Sequence, residues 1–246
     1  PAYVIDLAKL EANCRILQEV QKKSGCKVLL AQKAYSLYKT YPLISQYLSG
    51  TTASGLYEAK LAREEFQGEV HVFAPAFKDA DLEELLKITD HIVFNSERQL
   101  RKHGPRCREA GISVGLRINP QCSTQGDHAL YDPCAPGSRF GVTSDKIPSD
   151  LLDLVDGLHF HTLCEQGSED LETTPRQHSI LLRRKVPTSR SLTMCIPFVF
   201  ALKGGREESM RNFAKYFMVL GFMIKSVRWI ITLTCLLETW SRQALR

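Results

Sequence analysis

No Cys-x-x-Cys pair occurs in the chain. Its eight cysteines stand at positions 14, 26, 107, 122, 134, 164, 195 and 235, which excludes zinc ribbons and thioredoxin-like redox sites. No Gly-x-Gly-x-x-Gly follows the first apolar run, so a dinucleotide-binding fold is not supported. The first residues, Pro1 to Asp6, contain neither a basic n-region nor an apolar h-region. That lack of a secretory signal, with scattered thiols, leads to the expectation of a reducing, cytoplasmic setting. The missing initiator Met places the expected start further upstream. Acidic residues are scarce after residue 175: only Glu207, Glu208 and Glu238 face 13 Lys and Arg, whereas residues 1–175 carry 24 acidic and 19 basic residues. The overall charge of +5 is therefore the sum of two unlike parts and not a nucleic-acid footprint. A membrane span in Tyr216–Trp240 is disfavoured by Lys225 and Arg228, each costing about 2.5–3.5 kcal/mol near the bilayer centre.

What is present over residues 1–174 is an alternation. Short apolar, β-branched runs occur at Lys27–Ala31, Val70–Ala74, His91–Phe94, Val114–Ile118 and Gly157–His161, with a weaker candidate at Gly50–Ser54. Helical patterns fall between them, at Tyr38–Leu48, Leu56–Phe66, Asp79–Ile88, Ser96–Ala110 and Pro148–Val155. Asp79 and Ser96 are read as N-caps and Gly111 as a helix stop. Strand and helix repeating in this way predict parallel βα units. The right-handed crossover rule leaves a doubly wound sheet or a (β/α)8 barrel. Lys33, Arg117 with Asn119, and His161 each fall at or near the exit of a predicted strand, where a barrel keeps its chemistry, so the barrel is preferred. Residues 175–246 are basic, rich in Arg, Leu, Ser and Thr, and without capping order. They are read as out-of-frame or disordered sequence.

Lys33, in LLAQKAYS, is the leading candidate for chemistry. Placed just past an apolar strand, its stem is expected among buried groups, which would favour the neutral amine for imine formation with an aldehyde; a surface lysine is the alternative. His161, in GLHFHTLCEQ, could stack on a flat ring, act as an acid or cap its strand. His159 shares its face, but the pair lacks further ligands at a supportive spacing, so no metal is expected. Cys164 and Glu165 are read as loop or pocket residues. Arg117, in GLRINP, needs a partner if buried: a carboxylate or an anionic ligand. PGSRFGV, with Gly137, Arg139 and Gly141, reads as a glycine-edged loop.

Taken in series, LLAQKAYS, TTASGLYEAKLA, LRINP, PGSRFGV and GLHFHTLCE resemble the fold-type III decarboxylases that use pyridoxal 5'-phosphate, a group related to alanine racemase. Within it, LAQKAYS and HFHTLCE are similar to the carboxynorspermidine (carboxyspermidine) decarboxylase family. The resemblance covers about residues 1–174. It implies a barrel of the alanine racemase and ornithine decarboxylase kind and a pyridoxal phosphate carried on Lys33 as an aldimine. It places His161 on the ring face and Arg117 close by. It further implies a small carboxylated polyamine as substrate, polyamine biosynthesis as the setting, and a homodimer with no nucleic-acid or membrane partner. Other decarboxylases of the fold, for diaminopimelate, ornithine or arginine, and a non-catalytic pyridoxal-phosphate-binding barrel are the alternatives.

The sequence also departs from that pattern. No Gly-Gly-Gly occurs beyond His161, where the family's phosphate loop falls, and no Glu-Pro-Gly segment supplies a glutamate for the ring nitrogen. Six barrel strands are read instead of eight, which would leave the first and sixth with open edges. The expectation is thus an α/β, partial (β/α)8 barrel, incomplete at its C-terminus, over residues 1–174. Residues 175–246 would be a non-family tail, and the chain as written inactive.

Overall fold

The computed structural model describes residues 4–126, 132–147, 149–163, 191–196 and 228–233. Nine strands are described: β1 Lys27–Ala31, β2 Gly50–Ala53, β3 Glu69–Phe73, β4 His91–Phe94, β5 Ser113–Asn119, β6 Val142–Thr143, β7 Gly157–Phe160, β8 Ser191–Ile196 and β9 Arg228–Leu233. Eight of them pair in parallel around a ring. β1 to β5 follow one another, then come β7, β8 and β9, and β9 returns to β1 with Lys27 opposite Ile230. The two-residue β6 adds to the outer end of β5. The α/β barrel class is the one expected. The strand count is corrected: β8 and β9 occupy the gap between β7 and β1, so the first and sixth strands are not open edges. Their segments, SLTMCI and RWIITL, are short apolar runs of the length a barrel strand needs.

Five α-helices accompany the strands: α1 Leu7–Ser24, α2 Tyr41–Ile44, α3 Leu56–Glu65, α4 Asp79–Ile88 and α5 Glu97–Glu109. The long α1 has no counterpart in the sequence reading, although its signals are plain. Asp6 accepts the backbone N–H of Lys9 at 3.1 Å. Leu10, Cys14, Leu17 and Val20 are buried at helical spacing, and Gly25 closes the helix at φ 70°. The predicted helix over Tyr38–Leu48 shortens to a 3-10 turn at Tyr38–Thr40 followed by α2, and Pro148–Val155 resolves to a 3-10 segment, Ser149–Leu154. Ser96 caps α5 as read, accepting from Gln99 N. Asp79 does not cap α4. It is the first helical residue, Lys78 stands at the cap, and the Asp79 carboxylate binds the Lys102 ammonium at 2.6 and 2.8 Å. An ion pair to the neighbouring helix outcompetes the local cap.

Strand alternation divides the interior into two layers. Val28, Leu30, Val70, Val72, Ile92, Phe94, Val114, Leu116, Leu158 and Phe160 join the hydrophobic cluster beneath the helices. Tyr41 and Phe66 lie in the same layer, edge to face at 5.4 Å. A buried side chain of this size contributes roughly 1.5–3 kcal/mol. The opposite parity, which includes Leu29, His71, His91, Val93, Gly115, Arg117 and His159, faces the barrel axis. Gly115 has a steric cause: a Cβ there would lie 2.9 Å from His91 Nε2 and from Val93 Cγ2.

The N-terminal end of the barrel is built from paired charges. Lys27 binds Glu69, whose carboxylate accepts from His71 Nε2 at 3.0 Å. Asp90 accepts Val70 N–H at the start of β3, and Asp156 accepts Val114 N–H in β5. Arg63 and Arg108 neutralise those two carboxylates. Among the described residues no helix is long and apolar enough to cross a membrane.

Candidate active site

Lys33 lies in the turn that follows β1, two residues beyond Ala31. It is exposed. The expectation of a stem held among buried groups is corrected: the strand ends before Lys33, and the turn lifts it clear of the packed layer. The turn itself is rigidly braced. Gln32, buried beside it, donates to the Glu58 carbonyl at 2.8 Å and accepts from the Tyr41 hydroxyl at 3.3 Å, and its backbone N–H reaches Thr52 O.

Arg117 points inward from β5 and is buried. Two rings lie against the guanidinium: its central carbon is 4.9 Å from the centre of Phe73 and 4.8 Å from that of Phe140. Aromatic faces offer a delocalised cation a favourable electrostatic surface where water is excluded. Arg117 Nη2 also donates to the His161 carbonyl at 3.3 Å. His159, opposite Arg117 in register, stacks on Phe73 at 5.1 Å and lies edge-on to His161 at 6.4 Å.

Arg117 and Lys33 both act on the two imidazoles. Burial first, then the positive charges of Arg117 and Lys33, pushes the half-buried His161 down to about 3. His159 is shifted well below the ordinary imidazole value by burial, by Arg117 and more weakly by Lys33. Both rings are therefore neutral at physiological pH. Neither nitrogen of the buried His159 has a hydrogen-bond partner among the described residues. Lys33 follows β1, Arg117 lies in the outer half of β5 and His161 follows β7, so all three stand toward the C-terminal end of the barrel. Phe73, Phe140 and His159 complete the group.

The glycine-edged loop closes over this mouth. Gly141 sits at φ 82°, and a Cβ there would come within 2.7 Å of the Ile118 carbonyl carbon, so only glycine permits the approach to β5. Asn95, just beyond β4, bonds both Arg139 O and Gly141 N. Sequence reading missed Asn95, whose partners lie more than forty residues away. Cys164 and Glu165 lie outside the described residues.

A ring of parallel strands with its polar groups gathered at the C-terminal mouth is an α/β barrel, a fold also found in solved decarboxylase structures. The crystal structure of diaminopimelate decarboxylase from Helicobacter pylori, complexed with L-lysine, matches it with a TM-score of 0.69 over 92% of this chain and 61% of that one, at 16% identity.

Within this class the chain is homologous to the carboxynorspermidine/carboxyspermidine decarboxylases. The Campylobacter jejuni enzyme of that name is 40% identical over 172 residues, 70% of this chain and 44% of the relative. The carboxyaminopropylagmatine decarboxylase of Synechocystis is 36% identical over 188 residues, 76% of this chain and 48% of the relative. The crystal structure of carboxynorspermidine decarboxylase from Campylobacter jejuni, complexed with norspermidine, gives a TM-score of 0.76 at 29% identity, covering 95% of this chain and 59% of that one. The chain spans less than half the length of the curated relatives it matches. No family model matches it.

Proposed function

We propose that this chain supplies the cofactor-bearing barrel of a pyridoxal-phosphate decarboxylase acting on carboxynorspermidine or carboxyspermidine in polyamine biosynthesis. The observation that carries the reading is that Lys33, His161 and Arg117 stand toward one end of the barrel, in a chain homologous to enzymes of that name. The residues present fit the cofactor's aldehyde and ring face, while the phosphate loop and the ring-nitrogen glutamate implied by the resemblance have no counterpart in the sequence. Lys33 offers an exposed primary amine on a braced turn. His161 offers a flat, uncharged face, and the unpartnered nitrogens of His159 lie in the wall behind it. When bound, pyridoxal phosphate supplies an electron sink for the pair left behind as carbon dioxide departs.

The chain's own groups do the rest. Arg117 is a cation lying against Phe73 and Phe140, and it attracts anionic groups to the mouth. The neutral state of His161 and His159 prevents two further charges from repelling the Lys33 ammonium. Packing at the axis excludes water beneath the mouth and strengthens each of these interactions. This positive environment attracts anionic groups of a bound molecule to the mouth.

The test is direct. The full chain is incubated with pyridoxal phosphate, reduced with borohydride, digested and mapped by mass spectrometry. A pyridoxyl group on Lys33 is the expected result. A label spread over surface lysines, or none, overturns the assignment.

A further inference from the structure

We propose that Asn95 is a positioning residue for the His161 imidazole, acting through a strap made of residues 138–141. Asn95 follows β4 in the inward-facing row that runs His91, Val93, Asn95, and it is 8% exposed. Its amide makes two bonds to the same strap in opposite senses: Nδ2 donates to Arg139 O at 2.9 Å, and Oδ1 accepts Gly141 N–H at 3.0 Å. Donor and acceptor are both used, so the amide has one orientation that satisfies them. The anchor is itself fixed. Asn95 N–H donates to Gln99 Oε1 at 2.9 Å, and Gln99 Nε2 donates to the carbonyl of Pro75 at 3.0 Å.

Phe140 lies between the two clamped residues. Its ring lies 4.8 Å from the Arg117 guanidinium carbon, and the ring of Phe73 lies 4.9 Å from the same carbon. Arg117 in turn donates to the His161 carbonyl at 3.3 Å. The contacts therefore run in series, from Asn95 to Phe140 to Arg117 to His161. With Phe140 removed, Arg117 loses one of the contacts that hold it in place. Its bond to His161 is near the long limit of hydrogen-bond geometry and is the first to be lost. The strap also makes the PGSRFGV loop more than a turn: its glycine lets the backbone reach β5, and its phenylalanine seats the guanidinium.

The inference takes from the proposed function only that His161 belongs to the site. It is tested on the full chain with diethyl pyrocarbonate, which acylates neutral imidazole nitrogens, the modified histidines being located by peptide mass spectrometry. In Asn95→Ala and in Phe140→Leu, His161 is expected to react about tenfold faster than in the parent chain, the change that losing one or two net hydrogen bonds permits. His91, bonded to Ser113 deep in the barrel, is expected to keep its rate. Asn95→Asp retains the acceptor for Gly141 and loses the donor to Arg139, so it should fall between. The double variant should be no faster than the faster single, because the contacts act in series. Unchanged His161 rates overturn the proposal, as do additive effects in the double variant. Equal unmasking of His91 and His161 overturns it too, since Asn95 would then support the fold at large. Absorbance of the parent chain with pyridoxal phosphate is read in parallel. No cofactor uptake counts against the proposed function and leaves the histidine rates to judge the strap.

Discussion

The two ends of the barrel use similar residues in opposite ways. At the N-terminal end Lys27 faces Glu69, Glu69 faces His71, and Asp90 and Asp156 tie strand amides to arginines on the helices. At the C-terminal mouth Lys33, Arg117, His159 and His161 gather, and the named charges acting on the two imidazoles are all positive. An ion pair satisfied within the protein stabilises it and has little left to offer a ligand. A cluster of one sign is a cost to stability that a ligand of the other sign relieves. The contrast separates the end that holds the fold from the end that does chemistry, as in barrels generally.

The sharpest way to break this contrast is to exchange the fates of two lysines. Lys33→Ala should abolish the borohydride-trapped pyridoxyl label and leave urea stability within about 0.5 kcal/mol, as for an exposed residue. Lys27→Met should leave the label on Lys33 and cost about 0.5–1 kcal/mol in the same urea titration, since it removes a partly exposed ion pair. Equal loss of label in both variants would erase the distinction between the ends.

Acid titration sharpens it by a smaller effect. His91, fully enclosed, is pushed down to about 3 by burial and by His71, and His159 and His161 also lie below the unfolded value near 6.5. Below pH 6.5 the unfolded chain takes up protons that the folded chain refuses, so stability falls as the pH drops toward 3. The slope is about 1.4 kcal/mol per pH unit for each fully buried imidazole. Glu69, held down to about 2 first by its hydrogen bond to His71 and then by Lys27, acts in the same direction over a lower window. Its contribution is present above the unfolded value of 4.5 and is lost between there and pH 2. Urea midpoints from pH 7 to pH 4 should therefore fall, and replacing His91 with Gln should flatten the upper part of that fall. A flat profile would contradict the buried neutral imidazoles.

The smallest predicted effect concerns two helix starts that look alike in sequence. Ser96→Ala removes a real cap and should cost about 1 kcal/mol. Asp79→Ala removes exposed charge contacts to Lys102 and His103 and should cost less. Thermal melts of the two variants decide it.

Much of the barrel was legible because its strands are locally marked. KVLLA, HIVF and GLHFH each combine β-branched or apolar residues with turn residues at the ends, and each became a strand within a residue or two. Lys33, Arg117 and His161 were legible because strand exits in a parallel barrel share one end. What escaped depended on distance in the chain. The Arg117 cradle joins Phe73 to Phe140, the Asn95 clamp reaches Arg139 and Gly141, and β9 returns to β1; no local pattern announces any of these. Asp79 failed for the opposite reason, because a good local cap signal lost to Lys102 on another helix. The helix α1 was within reach, with Asp6, the apolar row and Gly25 all in view.

The closure of the ring has a consequence in time. β1 meets its second neighbour only when Ile230 and the residues around it have been made, about two hundred residues after Lys27. At ~5–20 residues per second, that interval lasts roughly 10–40 s on the ribosome. Throughout it the outer edge of β1 shows unpaired backbone donors and acceptors to whatever else is nearby. Among the described strands, the last to be synthesised is therefore the one that ends the exposure of the first, and any slowing of translation between residues 163 and 228 lengthens the period in which nascent chains can pair with one another.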